Sequence, residues 1–473
     1  MAERAEDNDE PKKFYCRQRI VLAVMGFNCI MTAYILRQCL GVTLTKMNDK
    51  EDLFNWNEFQ QGNILSAFFF GYVITHLPGA ILCEKFGGKI ILIIAMLVCS
   101  ISSIITPLVT LYGGYIALCA TRVIQGLGQG VVYPGLSFLL SKWIPKKERG
   151  RYGAFVYGGG QFGSIFANIA CGFILNYMSW QSSFYFSGIL SIIWVVMFFF
   201  LCSNDPNSHP YINKIEKDYL LAEMGTLEMN KNLPTTPWKY IFQSLPVWSL
   251  IIGQMGYDWG FYIMATDLPK YFSDVLNLSI VDNGIYNALP FLLMWIVSIF
   301  AGILADIMFI KNIMNLTNIR KFFTIISFMI PCFFMVAAGY ATNKYIIVIY
   351  FTICLGIMGS YYGGIKLNSL DFSPNYAPTL MALANGFGAI MGFVVPNIIG
   401  VIVKNATREE WQIVFWLTMA VRGFCSIIYG IWGSGEIQPW NEPDNMQNYL
   451  EQKQMEKQKK RLIVNVNIFQ YDS

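Results

Sequence analysis

Residues 89–110 read KIILIIAMLVCSISSIITPLVT, and no charged side chain follows Lys89 in this run. As an α-helix, a run of this length extends about 33 Å at 1.5 Å per residue, which matches the ~30 Å hydrocarbon core of a bilayer. The run therefore predicts a membrane-spanning helix. The pattern continues on both sides of it, because similar apolar blocks alternate with short polar breaks along most of the chain.

The composition agrees with a membrane protein. Of the 473 residues, 55% are hydrophobic and 14% charged, whereas soluble proteins have roughly 45–50% apolar and about 25% charged residues. At about 35 residues for a span and its connection, the length accommodates about twelve spans, which excludes seven-helix receptors and single-pass anchors. The 11 cysteines lie mostly inside apolar blocks, so they predict no disulfide framework, and 2 histidines are too few for a His-rich metal site.

The apolar blocks predict an all-α membrane protein with twelve transmembrane helices in two pseudo-symmetric bundles of six. The predicted spans, numbered one to twelve throughout, are 20–44, 61–83, 89–110, 114–140, 153–176, 181–202, 245–268, 282–305, 322–340, 345–368, 379–402 and 411–432. We therefore divide the chain into a tail (1–19), an N-terminal bundle (20–202), a linker (203–244), a C-terminal bundle (245–432) and a second tail (433–473). A faint repeat, with Glu84 after span two and Asp306 after span eight, favours two related halves.

The distribution of positive charge predicts the orientation. With both termini on the inner side, the inner connections hold 24 of the 34 Lys and Arg residues, the outer connections 6 and the spans 4. Cytoplasmic connections are enriched in Lys and Arg, so both termini are expected in the cytoplasm. This topology places the sequons at Asn277 and Asn405 outside, where we expect glycosylation, and the sequon at Asn315 inside.

Four cationic side chains lie within the spans: Arg37, Arg122, Lys366 and Arg422. Each costs about 2.5–3.5 kcal/mol at the centre of a membrane helix, so all four cannot face lipid. For Lys366, near the inner end of span ten, snorkelling to the interface is the simplest explanation. Arg422 fits a packed hydrogen-bond cluster and a functional role equally, while the depth of Arg37 and Arg122 favours a buried functional role.

Helical spacing places polar side chains on shared faces in the first half. Arg122, Gln125, Gln129 and Tyr133 lie on one face of span four, and Tyr34 and Arg37 share a face of span one. Such stripes also hold membrane helices together, but three of them, counting one on span five, are better explained by a shared polar cavity. The spans offer few acids, mainly Asp258, so the cavity is expected to be cationic and to attract an anion with carboxylate or phosphate oxygens.

No enzyme signature is found, because the chain lacks a His-Glu-x-x-His, a Gly-x-Ser-x-Gly and a phosphate-binding Walker lysine motif. The glycine-rich runs 125–130 and 158–163 do not follow a strand, so they predict close helix packing rather than nucleotide binding. We expect no bound cofactor, no nucleic-acid partner and a functional monomer in the lipid bilayer. The ligands are then a small-molecule anion and a transported coupling cation, Na⁺ or H⁺.

Several segments resemble a known family. They are 40–47, 69–79, 122–134, 148–149, 368–371, 384–388, 409–412 and 433–440. From about residue 20 to 440 the chain resembles the anion–cation symporters of the major facilitator superfamily. That family includes sialin, the vesicular glutamate transporters and the type I sodium-phosphate cotransporters, and the chain is most similar to sialin-like and inorganic phosphate cotransporter members.

The resemblance implies roles for individual residues. Arg37 and Arg122 match arginines of spans one and four that act in anion recognition and gating. Tyr257 matches a position that is tyrosine in sialin-like members and arginine in the glutamate carriers. Gln129 stands where proton-coupled relatives have glutamate, and a carboxamide cannot hold and release a proton. The predicted substrate-binding residues are Tyr34, Arg37, Arg122, Tyr257 and Asn385, and the predicted coupling or gating residues are His76, Gln129, Asp258 and Lys366.

The leading interpretation is a secondary active transporter of inorganic phosphate or organic anions that works by alternating access, with sodium as the preferred coupling ion. The first alternative is a proton-coupled organic-anion exporter of sialin type. A second alternative, of another class, is a transport-dead anion sensor or scaffold, which flux measurements distinguish from a transporter. The membrane is expected to be the plasma membrane or an endolysosomal or vesicular membrane.

Overall fold

The computed structural model describes residues 17–47, 54, 56, 58–224, 236–267, 271, 280–403 and 407–442. Regular structure in these ranges is helical. The helices of the first half are Gln18–Met47, Glu58–Phe86, Gly88–Gln129, Val132–Trp143, Arg149–Tyr157, Gly159–Tyr177 and Trp180–Leu201. Those of the second half are Leu245–Tyr262, Ile280–Ile310, Leu316–Tyr340, Lys344–Met358, Asn368–Phe372, Ala377–Ile402 and Arg408–Trp432.

The segment Gly88–Trp143 contains spans three and four. Its 56 residues would extend about 84 Å as one straight helix, far more than a bilayer core. Gly114 has φ 56° and ψ −143°, a conformation that glycine adopts without a steric penalty. Beyond it the chain returns, because the Ser102 hydroxyl donates to the Thr121 carbonyl at 2.9 Å. Residues 88–143 therefore cross the membrane twice.

The twelve predicted spans all correspond to helices. Ten stretches of the described residues are long and apolar enough to cross a membrane. One of them holds spans three and four, and the helix Leu245–Tyr262 supplies span seven. The outward surface is apolar, as lipid requires, and carries large side chains such as Phe70, Ile116 and Phe393, each more than 60% exposed.

Two spans are interrupted where they approach the centre of the molecule. Span five is divided at Gly158, between Arg149–Tyr157 and Gly159–Tyr177. Span ten unwinds after Met358 into two short 3₁₀ segments, Gly359–Gly363 and Ile365–Leu367, before its last helical turn. Broken helices are tolerated at membrane depth where the backbone is buried in protein or lines a cavity, and both segments are buried.

The predicted linker contains two short helices, Lys214–Met224 and Trp238–Gln243. The first is attached to the start of span one, because a Glu216 carboxylate oxygen accepts a hydrogen bond from the backbone N–H of Gln18 at 2.8 Å. Across the two halves, span eleven packs against spans two and four, and span eight packs against span five. These pairs bring the two halves together around the site.

Candidate functional site

A cavity of about 70 Å³ lies between the two halves. Its lining comes from spans one, two, four and five of the first half and from spans seven, eight, ten and eleven of the second. The lining residues are Tyr34, Arg37, Tyr72, Tyr133, Gly160, Gln161, Ser164, Gln254, Tyr257, Asp258, Phe261, Tyr262, Phe291, Tyr361, Tyr362, Lys366, Asn385 and Ala389. Tyrosines and a few charged and amide side chains therefore form a polar, aromatic chamber.

Aromatic rings surround the Arg37 guanidinium. Its central carbon lies 4.7 Å from the ring centre of Phe68 and 4.6 Å from that of Phe69, with Tyr34 and Tyr72 at 5.8 and 5.6 Å. The π-face of a ring attracts a cation without removing its charge. In the part of the chain that the structure describes, no carboxylate lies within the 4 Å of an ion pair with Arg37. Arg37 therefore presents a positive charge to the cavity.

Lys366 does not snorkel to the interface, contrary to the simplest explanation from sequence. It is 6% exposed, and its Nζ donates to Asn385 Oδ1 at 3.0 Å and lies 4.4 Å from the ring centre of Tyr133. The unwound segment of span ten turns it inward, a local geometry that regular helical spacing does not predict. Lys366 is the second cation of the cavity, and it too has no ion-pair partner among the described residues.

Asp258 contributes a carboxylate to the same cavity. Its Oδ2 accepts a hydrogen bond from Gln254 Nε2 at 2.8 Å, and Gln254 Oε1 accepts one from the Tyr361 hydroxyl. The Tyr361 ring stacks on Tyr257 with the centres 3.6 Å apart. This chain of contacts fixes Asp258 and Tyr257 on span seven against the unwound part of span ten.

Hydroxyl groups complete the lining. The Tyr34 and Tyr133 hydroxyls lie 3.2 Å apart, which joins spans one and four. Gln161 Nε2 donates to the Tyr362 hydroxyl at 2.6 Å, which joins span five to span ten across the two halves. Because hydroxyls both donate and accept hydrogen bonds, the chamber offers many donors to oxygen atoms of a ligand.

The polar stripe of span four has a different role from the one expected. Arg122, Gln125 and Gln129 do not line the cavity. Instead, Gln129 Nε2 donates to the Ala33 carbonyl at 2.9 Å, Gln125 Nε2 to the Leu36 carbonyl at 3.2 Å and Arg122 Nη2 to the Arg37 carbonyl at 3.4 Å. These three residues tie span four to the backbone of span one, the structural alternative for such stripes, whereas Tyr133 of the same stripe lines the cavity.

Two other candidates also lie outside the lining. His76 is 1% exposed, and its Nδ1 lies 2.8 Å from the Tyr72 carbonyl. Its Nε2 has no partner among the described residues. Arg422 is buried in the second half and donates to the Ser327 carbonyl, which fits the packed-cluster explanation. The glycosylation sites predicted at Asn277 and Asn405 lie outside the described residues.

Six predicted site residues meet in the cavity: Tyr34, Arg37, Tyr257, Asp258, Lys366 and Asn385. Sequence reasoning missed Tyr72, Gln254, Tyr361 and Tyr362. A signal existed for Gln254, which is one helical turn before Asp258 and so shares its face. The adjacent Tyr361 and Tyr362 gave none, because helical periodicity does not apply where span ten unwinds.

A group of buried and partly buried contacts closes the end of the molecule at which span one begins and span twelve ends. We call it the terminal gate: Glu84, Arg149, Gly150, Arg151, Asp306, Arg320, Asp371 and Thr379. Glu84 of the first half accepts from the Thr379 hydroxyl of the second at 2.5 Å, while Asp306 of the second half accepts from the backbone N–H groups of Gly150 and Arg151, both at 2.8 Å. The two acids of the sequence repeat thus make reciprocal contacts.

An ion-pair cluster adds to the terminal gate. Asp371 lies 2.7 Å from Arg320 Nε and 3.6 Å from Arg149 Nη1, and all three side chains are at most 3% exposed. Arg149 belongs to the first half, whereas Arg320 and Asp371 belong to the second. The gate therefore closes this end of the molecule with two buried arginines that lie beside one carboxylate.

Comparison with known sequences and structures shows which proteins this chain is similar to. Residues 21–396 match the Major Facilitator Superfamily model. The chain is 36% identical over 405 residues to the protein named "Putative inorganic phosphate cotransporter" of Drosophila ananassae, covering 84% of each. It is 32% identical over 465 residues to sialin of Ovis aries, covering 92% of this chain and 93% of sialin. The structure of the proton:xylose symporter XylE superposes with a TM-score of 0.70 at 14% identity, over 89% of this chain and 97% of XylE.

Proposed function

Because the chain belongs to the Major Facilitator Superfamily, and so is a multi-pass membrane transporter and not an enzyme, we propose that it carries a small anion by alternating access. The observation that supports the anion is the pair of cations in the cavity. Arg37 and Lys366 face the cavity on aromatic rings and form no ion pair within the described residues.

The charge of the cavity selects an anion. Two cations face one carboxylate among the lining residues, so the lining has an excess of positive charge. A buried net charge is costly in a medium of low dielectric constant, and an anion offsets that cost. The planar Arg37 fork pairs with two oxygens of a carboxylate or phosphate, whereas Lys366 adds a point charge.

The size of the cavity favours a compact substrate. A single water molecule needs roughly 10–15 Å³ of cavity volume. The cavity of about 70 Å³ therefore holds about five to seven groups of that size. An inorganic phosphate ion fits this space in the conformation described. The similarity to the Drosophila relative supports phosphate, and the similarity to sialin supports the second candidate, a proton-coupled exporter of organic anions.

The same proposal includes coupling and orientation. Transport is coupled to a cation, with Na⁺ the first ion to test and H⁺ the second. Both termini face the cytoplasm, so the terminal gate lies on the cytoplasmic side, which the excess of Lys and Arg on that side supports. The protein works as a monomer in the plasma membrane or in an endolysosomal or vesicular membrane.

Flux measurements on the purified protein test this function. We would reconstitute it in proteoliposomes and measure uptake of radiolabelled phosphate, urate, glutamate and sialic acid while Na⁺ and pH are varied independently. Protein-free liposomes are the control. Saturable uptake of at least one anion is expected, with phosphate the first candidate. Absence of flux for all four anions would contradict the proposal and favour a sensor or scaffold.

A further inference from the structure

Asp258 is the one acidic side chain among the described residues that line the cavity, and it shares the cavity with Arg37 and Lys366. Resting on the transport function proposed above, we infer that Asp258 is the site at which the coupling cation, a proton or a sodium ion, binds during the transport cycle. A proton and a sodium ion each carry one positive charge, and each binds to a carboxylate oxygen.

The carboxylate is positioned for this role. Its Oδ2 accepts from Gln254, whereas its Oδ1 accepts no hydrogen bond from the described part of the chain. Asp258 is only partly buried, because it faces the cavity. On span eleven, a Cβ atom at Gly388 would overlap Oδ2, so the glycine admits the carboxylate to its place. Among the described residues, Oδ1 is therefore held at the substrate cavity without a hydrogen-bond donor.

The charge of the cavity links the two ligands. With Arg37 and Lys366 cationic and Asp258 ionised, the lining has one excess positive charge. A monoanion brings it to neutrality, but a dianion leaves one negative charge, which a cation at Asp258 cancels. Buried net charge is unfavourable, so a dianion such as hydrogen phosphate and the coupling cation each increase the affinity for the other, and this coupling is reciprocal.

The surrounding groups order the binding events. The charged groups that face Asp258 are Lys366 from span ten and Arg37 from span one, and Arg422 of span twelve lies behind Gly260. The other titratable groups of the cavity lining are hydroxyls, those of Tyr34, Tyr72, Tyr133, Tyr257, Tyr262, Tyr361 and Tyr362. Lys366 and Arg37 repel a further cation by Coulomb's law. The coupling cation therefore binds when an anion is in the cavity, which prevents a leak of cations without substrate.

His76 is a weaker candidate for the same role. It is buried on span two and outside the cavity lining, so a charge on its ring would not meet the substrate directly. Gln129 lacks a group that accepts a proton and is bonded to the backbone of span one. Of the titratable coupling candidates, Asp258 and Lys366 share the substrate cavity, and of these two Asp258 is the one that gains a cation.

The test separates coupling from anion binding. Wild type, Asp258→Asn, Asp258→Glu and, as a matched control, Asp218→Asn on the exposed face of the linker helix would be reconstituted in proteoliposomes. With radiolabelled phosphate, glutamate, urate and sialic acid, two quantities are measured for each anion that the wild type transports. They are accumulation driven by an imposed Na⁺ or pH gradient, and exchange of internal for external anion with no gradient.

For Asp258→Asn, the ratio of internal to external anion is expected to fall to about 1. The neutral carboxamide cannot take up a proton, and it has no negative charge to pair with a sodium ion. Exchange is expected to persist, since Arg37 and Lys366 remain. Asp258→Glu and Asp218→Asn should accumulate the anion, and the gradient that drives wild type identifies the cation.

Two results would overturn the inference while the transport function stands. One is gradient-driven accumulation in Asp258→Asn at the wild-type ratio, and the other is wild-type flux that is independent of both gradients. Loss of exchange together with accumulation in folded Asp258→Asn would also count against it, because it would assign Asp258 to anion binding. If wild type transports none of the four anions, the proposed function itself has failed.

Discussion

The terminal gate and the central cavity both contain buried arginines, but they stabilise them differently. In the gate, Arg149 and Arg320 lie beside the carboxylate of Asp371. In the cavity, Arg37 lies among four aromatic rings and Lys366 near the rings of Tyr133 and Tyr157. A carboxylate neutralises the cation beside it, whereas an aromatic ring attracts the cation and leaves its charge available to a ligand. Paired cations hold the halves together, and ring-bound cations remain able to bind a ligand.

The largest effect is expected in the gate. Asp371→Asn leaves Arg149 and Arg320 buried without an ionised partner, and removing one member of a buried ion pair typically costs about 3–5 kcal/mol. We expect a clear fall in the melting temperature of the purified protein. Glu223→Gln is the control, because it breaks the exposed pair with Lys147, which is worth at most about 1 kcal/mol. Equal melting temperatures for the two variants would remove the distinction between gate and surface pairs.

The next largest effect is expected at Arg37. Arg37→Ala should lower anion flux about 100-fold, which corresponds to about 2.7 kcal/mol, while surface expression persists. Arg37→Lys should also transport poorly, because an ammonium lacks the planar fork. The matched control is Arg17→Ala, since Arg17 is exposed just before span one. Transport by Arg37→Ala with an unchanged apparent affinity would refute a substrate contact.

A smaller effect concerns the coupling of Arg37 and Arg122. Both guanidinium groups lie near the ring of Phe68, at 4.7 and 5.1 Å from its centre, and Arg122 also donates to the Arg37 carbonyl. Residues that share partners give interaction energies of about 0.5–3 kcal/mol in a double-mutant cycle. We expect non-additive losses of flux for Arg37→Lys and Arg122→Lys. Simple additivity would indicate independent roles.

The smallest effect is expected at Gln129. Because Gln129 cannot carry a proton, wild-type flux should depend only weakly on the proton gradient at this position. Gln129→Glu should increase that dependence. A protonated glutamate can still donate to the Ala33 carbonyl that Gln129 contacts, but an ionised one cannot, so flux of the variant should fall as pH rises. Flux measured from pH 5.5 to 8 at a clamped membrane potential checks this. A flat profile for the variant would show that the bond is dispensable.

The sequence was most informative about the spans. All twelve predicted segments coincide with helices, and their ends differ by a few residues. The pair of acids at Glu84 and Asp306 also proved to be more than a weak repeat, because both carboxylates make contacts across the two halves. Bilayer thickness imposes a length on every apolar segment, so a local pattern is sufficient to locate them.

Arg122 and Lys366 show where sequence reasoning stops. Periodicity placed Arg122, Gln125, Gln129 and Tyr133 on one face. Of these four, Tyr133 lines the cavity, whereas the other three contact the backbone of span one. Lys366 was expected at the interface, yet the unwound span ten turns it inward. Spacing along a helix shows which residues share a face, but it does not show which part of the protein that face contacts.

The sequence by itself determined the membrane class, the number of spans, the resemblance to anion carriers and the surplus of buried positive charge. These features depend on the length of local apolar segments and on residue type. The tertiary structure decided which cations are neutralised and which are not. Six predicted residues meet at one cavity, although they lie on four different spans. Their meeting depends on the breaks in spans five and ten and on the packing of one half against the other, which brings together residues that are distant in the sequence.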